Sequence, residues 1–440
     1  MNRLARMEGS ARILALVKLA NVGLVLIWGF AVTFVFVRIL PIAEFQAFLL
    51  LVAFGNFTIS AEFGLTSIIY ARLRRHWLGQ DAESMGESAV AADGGFRLEE
   101  MGVLFLFLAL LVAGGALILL LALGTGWLET GMPLLFLLFF LSACLNLPAL
   151  LAKRALAAVD GNFLWEMLDC ARRVATIALL LAILAGLDPR LSVALQLAVS
   201  MAVIGFAIGH VHRRLGMRRR HWLAVRVGGG HVRAHYLRDI GASAAFTLSD
   251  IIAYNAPYFT IAAATSDPRP MLVFDFFFKM ARALSMLVRA LVEAALPRIT
   301  RAYHAGDRQR MRQLLARALG AAMLFALLLG GVLLVAGDRL FAILFDGRAA
   351  IDRADIGLIL LALAALTILS VSVYVQAALG RFTHLLARSL PFLLGSLASA
   401  PLALLLWPGR FDLAFLALYA LTLLGVAMLH LGSLKRLARA

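Results

Sequence analysis

The sequence predicts an all-α polytopic membrane protein with about 12 transmembrane helices, arranged as two six-helix lobes around a central hydrophilic cavity. Hydrophobic residues make up 62% of the 440 residues and charged residues only 15%, and the mean hydropathy is +0.92. This composition lies outside the usual range of soluble domains. Apolar stretches of roughly 20 residues, the length that a helix needs to span the hydrocarbon core, recur along the whole chain.

These apolar stretches define the predicted spans to within about three residues at each end. The spans lie at 19–40, 46–70, 102–124, 132–152, 166–187, 191–211, 239–264, 272–297, 318–345, 355–379, 383–406 and 411–433. The first span follows a basic tail, but it is too long for the apolar region of a signal peptide and lacks a small-residue cleavage site after it. We therefore expect an uncleaved first helix.

The basic residues indicate the orientation of the chain. If both termini are cytoplasmic, most of the 41 Lys and Arg residues fall in the tails, in the inner loops at 71–101 and 212–238, and at inner helix ends. The outer side then holds only Arg38, Arg190, Arg269, Arg339, Arg348, Arg353 and Arg410. This asymmetry agrees with the positive-inside rule. The net charge of +16 therefore predicts contact with anionic membrane lipids and not with nucleic acid.

An internal repeat predicts the two lobes. A shift of 231 residues places Glu44 on Asp275 and Glu62 on Glu293, so the second span resembles the eighth. A shift of 216 superposes a Gly-Gly pair of the third span on one in the ninth. Two six-helix halves in the same orientation, 1–215 and 216–440, explain both matches.

The eighth span, FDFFFKMARALSMLVRALVEAALP at 274–297, carries five charges on one stripe. Asp275, Lys279, Arg282, Arg289 and Glu293 follow one another at helical spacing. Each central charge costs roughly 2.5–3.5 kcal/mol to insert into lipid, so the stripe must face protein or water. Asp275 with Lys279, and Arg289 with Glu293, form i,i+4 pairs. Arg282 needs a partner on another helix, a water-filled cavity or an anionic ligand.

Polar residues on other spans predict what this stripe faces. The seventh span carries Ser243, Thr247, Asp250 and Tyr254, and the second carries Asn56, Thr58 and Glu62. A hydrophilic cavity lined by the first, second, seventh and eighth helices accommodates all of them. Asp169, Arg172 and Arg173, near the inner end of the fifth span, either extend this cavity or anchor that helix at the membrane interface, and we expect the anchoring role.

Three stretches resemble one family of transporters. RILPIAEFQAF at 38–48 is similar to the junction between the first two helices of Wzx-type oligosaccharide flippases, which belong to the multidrug/oligosaccharidyl-lipid/polysaccharide exporter superfamily. AEFGLTSIIYARLRR at 61–75 resembles their acidic-x-Gly-Leu helix end followed by Arg, and LPRIT at 296–300 resembles the Pro that closes their eighth helix. Pro41 and Gln46 stand where the family often has Gly, which leaves the substrate subtype open.

The resemblance implies a flippase of a bacterial cytoplasmic (inner) membrane. Its substrate would be an undecaprenyl-pyrophosphate-linked oligosaccharide for surface polysaccharide biosynthesis, moved by alternating access, with polysaccharide polymerase machinery as an expected partner. The basic residues of the stripe suit this substrate, because charge-assisted contacts to phosphate are strong. The expected substrate-binding residues are Arg282, Lys279, Arg289 and Tyr254. The expected sites of coupling to H+ or Na+ are the carboxylates Asp250, Glu62, Glu293 and Asp275.

Two other functions remain open on the sequence alone. A multidrug cation antiporter of the same superfamily would share the fold, but its cavity is expected to be acidic, without basic residues that repel cations. A membrane polysaccharide polymerase or glycosyltransferase would place catalytic residues in sizeable outer loops, which the predicted topology lacks. The sequence has neither a nucleotide-binding motif nor metal-ligand spacing. The chain is therefore predicted not to be an enzyme and to use no cofactor or metal.

The orientation gives a first testable prediction. Cysteines introduced in the 212–238 segment should be protected from an impermeant thiol reagent in intact cells, because that basic segment is predicted to be cytoplasmic. A cysteine at Thr265, in a short outer connection, should be labelled. Labelling is measured by the mass added to the protein, and the opposite pattern would overturn the orientation.

Overall fold

The computed structural model describes residues 11–62, 65–84 and 96–437 of the chain. Within these ranges every regular element is a helix. The α-helices are α1 Ala11–Ile39, α2 Ile42–Ser60, α3 Leu65–Ser84, α4 Glu99–Gly124, α5 Pro133–Cys144, α6 Asn146–Ala158, α7 Asn162–Ala182, α8 Pro189–Arg214, α9 Arg219–Leu223, α10 Val225–Ala264, α11 Pro268–His304, α12 Arg308–Phe345, α13 Arg353–Ala378, α14 Phe382–Leu406 and α15 Phe411–Leu437. Two 3-10 turns, Ile183–Ala185 and Pro408–Arg410, interrupt the connections.

The helices confirm the predicted all-α polytopic membrane fold. Among the described residues, nine helical segments are long and apolar enough to cross a membrane, with α5 and α6 counted as one segment. Three more long helices, α7, α10 and α11, carry charges within the remaining predicted spans. Together, these segments account for all twelve predicted spans.

The described residues form two compact units, and each unit is built from two separate stretches of the sequence. The first unit contains the described residues of Met1–Val35 and Phe54–Ala244, and the second contains those of Phe36–Ala53 and Ala245–Ala440. The short segment Phe36–Ala53, at the α1–α2 connection, therefore belongs with the C-terminal helices. The lobe boundary between residues 215 and 216 stays a prediction.

The motif that begins at Arg38 has a structural role within the second unit. The Arg38 side chain donates a hydrogen bond to the carbonyl of Ile343, near the end of α12, at 2.8 Å. It also forms an ion pair with Asp346 at 3.2 Å. In the reverse direction, Arg348 donates to the carbonyl of Leu40 at 2.9 Å. These two arginines join the end of α1 to the end of α12.

The second span ends earlier than predicted. α2 ends at Ser60 and not near residue 70, and the Glu62 carboxylate accepts a hydrogen bond from the backbone N–H of Thr66 at 3.0 Å. The helix α3 that begins there extends into the predicted inner loop at 71–101, of which residues 85–95 lie outside the described residues. Ile69 and Leu73, one turn apart, are buried against α6. A helix thus replaces much of the expected loop, because its buried residues have a partner in α6.

The basic segment at 212–238 is also helical where we expected a loop. It contains the end of α8, the short α9 and the first residues of α10. Two glycines allow it to pack closely on α4. A Cβ atom on Gly102 would lie 2.6 Å from the carbonyl oxygen of Trp222, and one on Gly228 would lie 2.7 Å from the carbonyl oxygen of Glu99. Close packing of backbone on backbone therefore holds this segment on the first unit.

One arginine ties three helices of the second unit together. Arg269, in the first turn of α11, forms ion pairs with Asp352 at 2.9 Å and with Asp355 at 2.8 Å, next to and within the first turn of α13. It also pairs with Asp412 at the start of α15. Asp355 is 2% exposed, so its charge depends on this guanidinium for compensation.

We predict that Arg269→Ala destabilises the protein by ~1–3 kcal/mol, because three neighbouring carboxylates lose their common cation. The effect is measured as a lower midpoint of thermal unfolding in detergent. Arg410→Ala, which removes an exposed arginine, is the control and should leave the midpoint within about 1 °C. Equal midpoints for the two variants would contradict a tying role for Arg269.

Candidate functional site

Asp275 lies in a buried cluster near the beginning of α11. Its side chain is almost fully buried, and its Oδ1 atom accepts a hydrogen bond from the Tyr258 hydroxyl at 2.8 Å. Its Oδ2 atom pairs with the ammonium group of Lys279. This contact confirms the predicted i,i+4 pair. The charge of Asp275 is therefore compensated by α10 and by its own helix.

Arg289 and Glu293 form the second predicted pair, farther along α11. The Arg289 Nε atom donates to Glu293 Oε1 at 2.7 Å, which confirms this pair as well. The two side chains are 56% and 54% exposed. The Arg289 guanidinium also lies over the ring of Tyr374, 5.9 Å from its centroid. An exposed pair of this kind contributes little to stability and can exchange its partners for a ligand.

Asp250, on α10, is half-buried and lies near a group of tyrosines. Its charge acts on the phenol groups of Tyr254, Tyr374 and Tyr419. The rings of Tyr254 and Tyr419 both contact Phe392 edge-on, with centroids 5.0 and 5.8 Å apart. A carboxylate close to aromatic rings is an environment that attracts an organic cation.

Arg282 lies between the two ion pairs of α11, on the surface of the described second unit. Its charge acts on Lys279 and on Tyr258. α11 thus presents the predicted stripe, with both end pairs formed and with Arg282 between them. Binding of substrate by Arg282, Lys279, Arg289 and Tyr254 stays a prediction.

Glu62 belongs to the first unit, whereas Asp250, Asp275 and Glu293 belong to the second. The hydrogen bond from the backbone of Thr66 gives the Glu62 carboxylate a local structural role at the start of α3. Ser243, which we also predicted on the polar stripe of the seventh span, has a side chain that is not among those described. Ion coupling through any of the four carboxylates stays a prediction.

The expectation that Asp169, Arg172 and Arg173 anchor α7 at the membrane interface is wrong. Asp169 and Arg172 are 3% and 7% exposed. One oxygen of Asp169 accepts hydrogen bonds from Arg172 Nε and Nη2 at 3.0 and 2.6 Å, and the other accepts from Arg173 Nε at 2.9 Å. These residues are the centre of a buried ion cluster, because three- and four-residue spacing aligns them on one face of α7.

Two other helices complete this cluster in the first unit. The Asn21 amide, on α1, donates to Glu166 Oε2 and to Asp169 Oδ2, both at 2.8 Å. Lys153, on α6, lies 3.5 Å from Glu166 Oε1. Glu166 and Asp169 thus face three cations and one amide. The charges at helical spacing within the fifth span could have predicted that these residues share one helix face. Their partners Asn21 and Lys153 lie on other helices, which spacing along one helix does not reveal.

Comparisons with known proteins bear on the fold. No protein-family model and no curated protein matches the sequence. The eukaryotic MATE transporter AtDTX14 is similar in structure, with a TM-score of 0.63, 14% identity and coverage of 96% of both chains. The inward-facing conformation of a multidrug resistance MATE family transporter of the MOP superfamily has a TM-score of 0.61 at 13% identity, covering 99% of this chain and 97% of that one. An outward-facing conformation has a TM-score of 0.61 at 12% identity, covering 97% and 96%.

At these identities the likeness shows the fold. The chain has the fold of MATE transporters of the MOP superfamily over nearly its whole length. This superfamily is the one that the sequence motifs resemble. The narrower resemblance to Wzx-type flippases stays a prediction.

The buried cluster of the first unit leads to a prediction about stability. Asp169→Ala should destabilise the protein by ~3–5 kcal/mol, because Arg172 would remain buried without its carboxylate. The measurement is the thermal unfolding midpoint, together with the yield of folded protein from the membrane.

The matched control is Glu293→Ala, which removes the partner of Arg289 from a pair whose Glu293 side chain is 54% exposed. That variant should lose less than about 1 kcal/mol. Similar losses in the two variants would mean that the Asp169 cluster is open to water.

Proposed function

We propose that this chain is a membrane transporter that works by alternating access and is not an enzyme. The observation that carries the proposal is the similarity, over at least 96% of the chain, to transporter structures that include one inward-facing and one outward-facing conformation. Transport by alternating access needs a fold with two such states. Charged residues inside the apolar helices supply polar sites within the membrane.

The names of the matched transporters favour a multidrug cation antiporter over a lipid-linked oligosaccharide flippase. The main objection to cation transport was the set of basic residues on α11. Two of these, Lys279 and Arg289, each pair with a carboxylate of the same helix, which reduces their repulsion of a cation. Asp250 and its neighbouring tyrosines supply a carboxylate and aromatic rings, the groups that bind an amphipathic organic cation.

Asp250 is also the best candidate for coupling to H+ or Na+. Both oxygens of Asp275 already accept donors, Glu62 accepts a bond at the start of α3, and Glu293 pairs with Arg289. A carboxylate that binds either the driving ion or the cationic substrate, but not both, couples their exchange. The same residue can therefore carry substrate binding and ion coupling in an antiporter.

A flippase of lipid-linked oligosaccharide is the second candidate, and the exposed arginines of α11 favour it. Arg282 lies on the surface of the second unit, and Arg289 is more than half exposed. A guanidinium fork binds phosphate through two charge-assisted hydrogen bonds, so these residues suit a pyrophosphate. The motifs beginning at residues 38, 61 and 296 support the same substrate. Polysaccharide polymerase machinery would then be the natural partner.

One reconstitution experiment separates the two substrates. The protein is placed in liposomes with an imposed H+ or Na+ gradient, and uptake of a fluorescent organic cation is measured beside flipping of a labelled polyprenyl-pyrophosphate oligosaccharide. Gradient-driven cation uptake alone supports the antiporter, and flipping alone supports the flippase. Failure of both under both gradients would overturn the two proposals.

We predict that Asp250→Asn abolishes gradient-driven transport while the protein stays folded and inserted. The amide cannot carry the negative charge that holds a driving ion, so the initial rate should fall at least about tenfold. Asp338→Asn, a change at an exposed carboxylate, serves as the control and should transport normally. Loss of the Asp250→Asn protein from the membrane would instead assign Asp250 a structural role.

Arg282 provides a test of the flippase proposal. Arg282→Ala should reduce flipping of the pyrophosphate-linked substrate by about tenfold or more, because it removes a charge-assisted contact. Arg282→Lys should retain part of the rate, since the charge remains while the fork is lost. Initial rates in the same liposomes provide the measurement. An unchanged flipping rate in Arg282→Ala would remove Arg282 from substrate binding.

A further inference from the structure

An open cavity of about 530 Å³ lies in the second unit, between the end of α13 and the beginning of α14. Its lining residues are Gly380, Arg381, Thr383, His384 and Ala387. The polar stripe of α11 contributes no residue to this lining, so the cavity is a feature separate from the candidate transport site.

The charges around this cavity are positive. Arg381, Arg388 and Arg436 all act electrostatically on His384. Arg381 lines the cavity, and Arg388 and Arg436 lie within electrostatic reach of His384, which also lines it. Among the described residues, no ion pair involves any of these three arginines. Such an arrangement stores repulsion that an anion would offset.

The local backbone holds these groups in place. Gly380 adopts a positive φ of 71°, which turns the chain from α13 into α14. Arg388 donates a hydrogen bond to the carbonyl of Leu429 at 3.2 Å, so its guanidinium is fixed between α14 and α15. Thr383 and His384 lie in the first turn of α14, which has no side-chain cap. The first backbone N–H groups of α14, which have no partner within the helix, are further donors beside the arginines.

An apolar track leads away from the cavity on the same face of α14. The cavity residues Thr383 and Ala387 are followed at three- and four-residue spacing by Leu390, Leu394 and Leu397, which places all five on one stripe. The three leucines are 42%, 65% and 39% exposed. A basic cavity with an adjoining apolar track is complementary to an anionic lipid: the cavity suits the headgroup, and the track suits an acyl chain.

We propose that this cavity binds the phosphate headgroup of an anionic membrane lipid, whose acyl chain lies along α14. The guanidinium groups would donate charge-assisted hydrogen bonds to the phosphate oxygens. The leucines would contact the acyl chain, which a free phosphate ion lacks. The bound lipid would offset the repulsion among Arg381, Arg388 and Arg436, and would stabilise the end of the unit where α13, α14 and α15 meet.

Native mass spectrometry of the purified full chain in neutral detergent tests this proposal. Phosphatidylglycerol, phosphatidylcholine and inorganic phosphate are titrated separately. We expect phosphatidylglycerol to bind more tightly than the other two. The double variant Arg381→Gln/Arg436→Gln should bind it about tenfold more weakly, a change of about 1.4 kcal/mol. Ala387→Trp, which places a bulky ring in part of the cavity without removing a charge, should weaken binding similarly.

The control is Arg339→Gln/Arg410→Gln, which removes two exposed arginines away from the cavity and should leave binding of phosphatidylglycerol unchanged. Leu394→Gln should weaken binding of the lipid but not of inorganic phosphate. Equal binding of phosphate and lipid, with no effect of Leu394→Gln, would overturn the lipid in favour of free phosphate. Equal weakening by the two double variants would overturn the site. If the cavity double variant fails to fold, undiminished binding by Ala387→Trp would overturn the site by itself.

Discussion

An ionised side chain within an apolar helix bundle must have its charge compensated, and this requirement organises both units. A charge costs several times more to place in hydrocarbon than a leucine returns, so it persists only beside a partner or water. In the first unit, Asp169 holds two arginines and an asparagine together across α1 and α7. In the second unit, Asp275 joins α10 to α11, and Arg269 joins the start of α11 to the start of α13. The helices are apolar, and these few contacts specify which helices meet.

The sequence predicted the features that depend on a single helix, namely the spans and the ion pairs within one helix. Hydropathy located the spans, and i,i+4 spacing located the pairs Asp275–Lys279 and Arg289–Glu293, because both follow from helix geometry. The hydrogen bond from Tyr258 to Asp275, and the one from Asn21 to Asp169, join different helices, so only packing could reveal them. Hydropathy also failed at α3 and at the start of α10. α3 and the first residues of α10 contain many charged and polar residues, and a hydropathy average does not detect a helix of that composition.

The fold leaves the substrate open, since one architecture can serve cations and lipid-linked anions alike. What distinguishes these substrates is how charge is distributed over a few side chains. Asp250 and its tyrosines attract positive charge, while Arg282 attracts negative charge. The pairing of Lys279 and Arg289 with carboxylates leaves α11 close to neutral along much of its stripe. In the transporter that we propose, a change in which residues pair within this stripe would alter substrate preference without altering the fold.

The two glycines between α4 and the α9–α10 segment have an evolutionary consequence. Gly102 and Gly228 lie where any side chain would collide with the backbone of the other element. A substitution at either position is excluded unless the segment moves away, so both glycines should persist in descendants even where the surrounding leucines and valines interchange freely. Paired glycines at this separation offer a recognisable mark for tracing distant homologues.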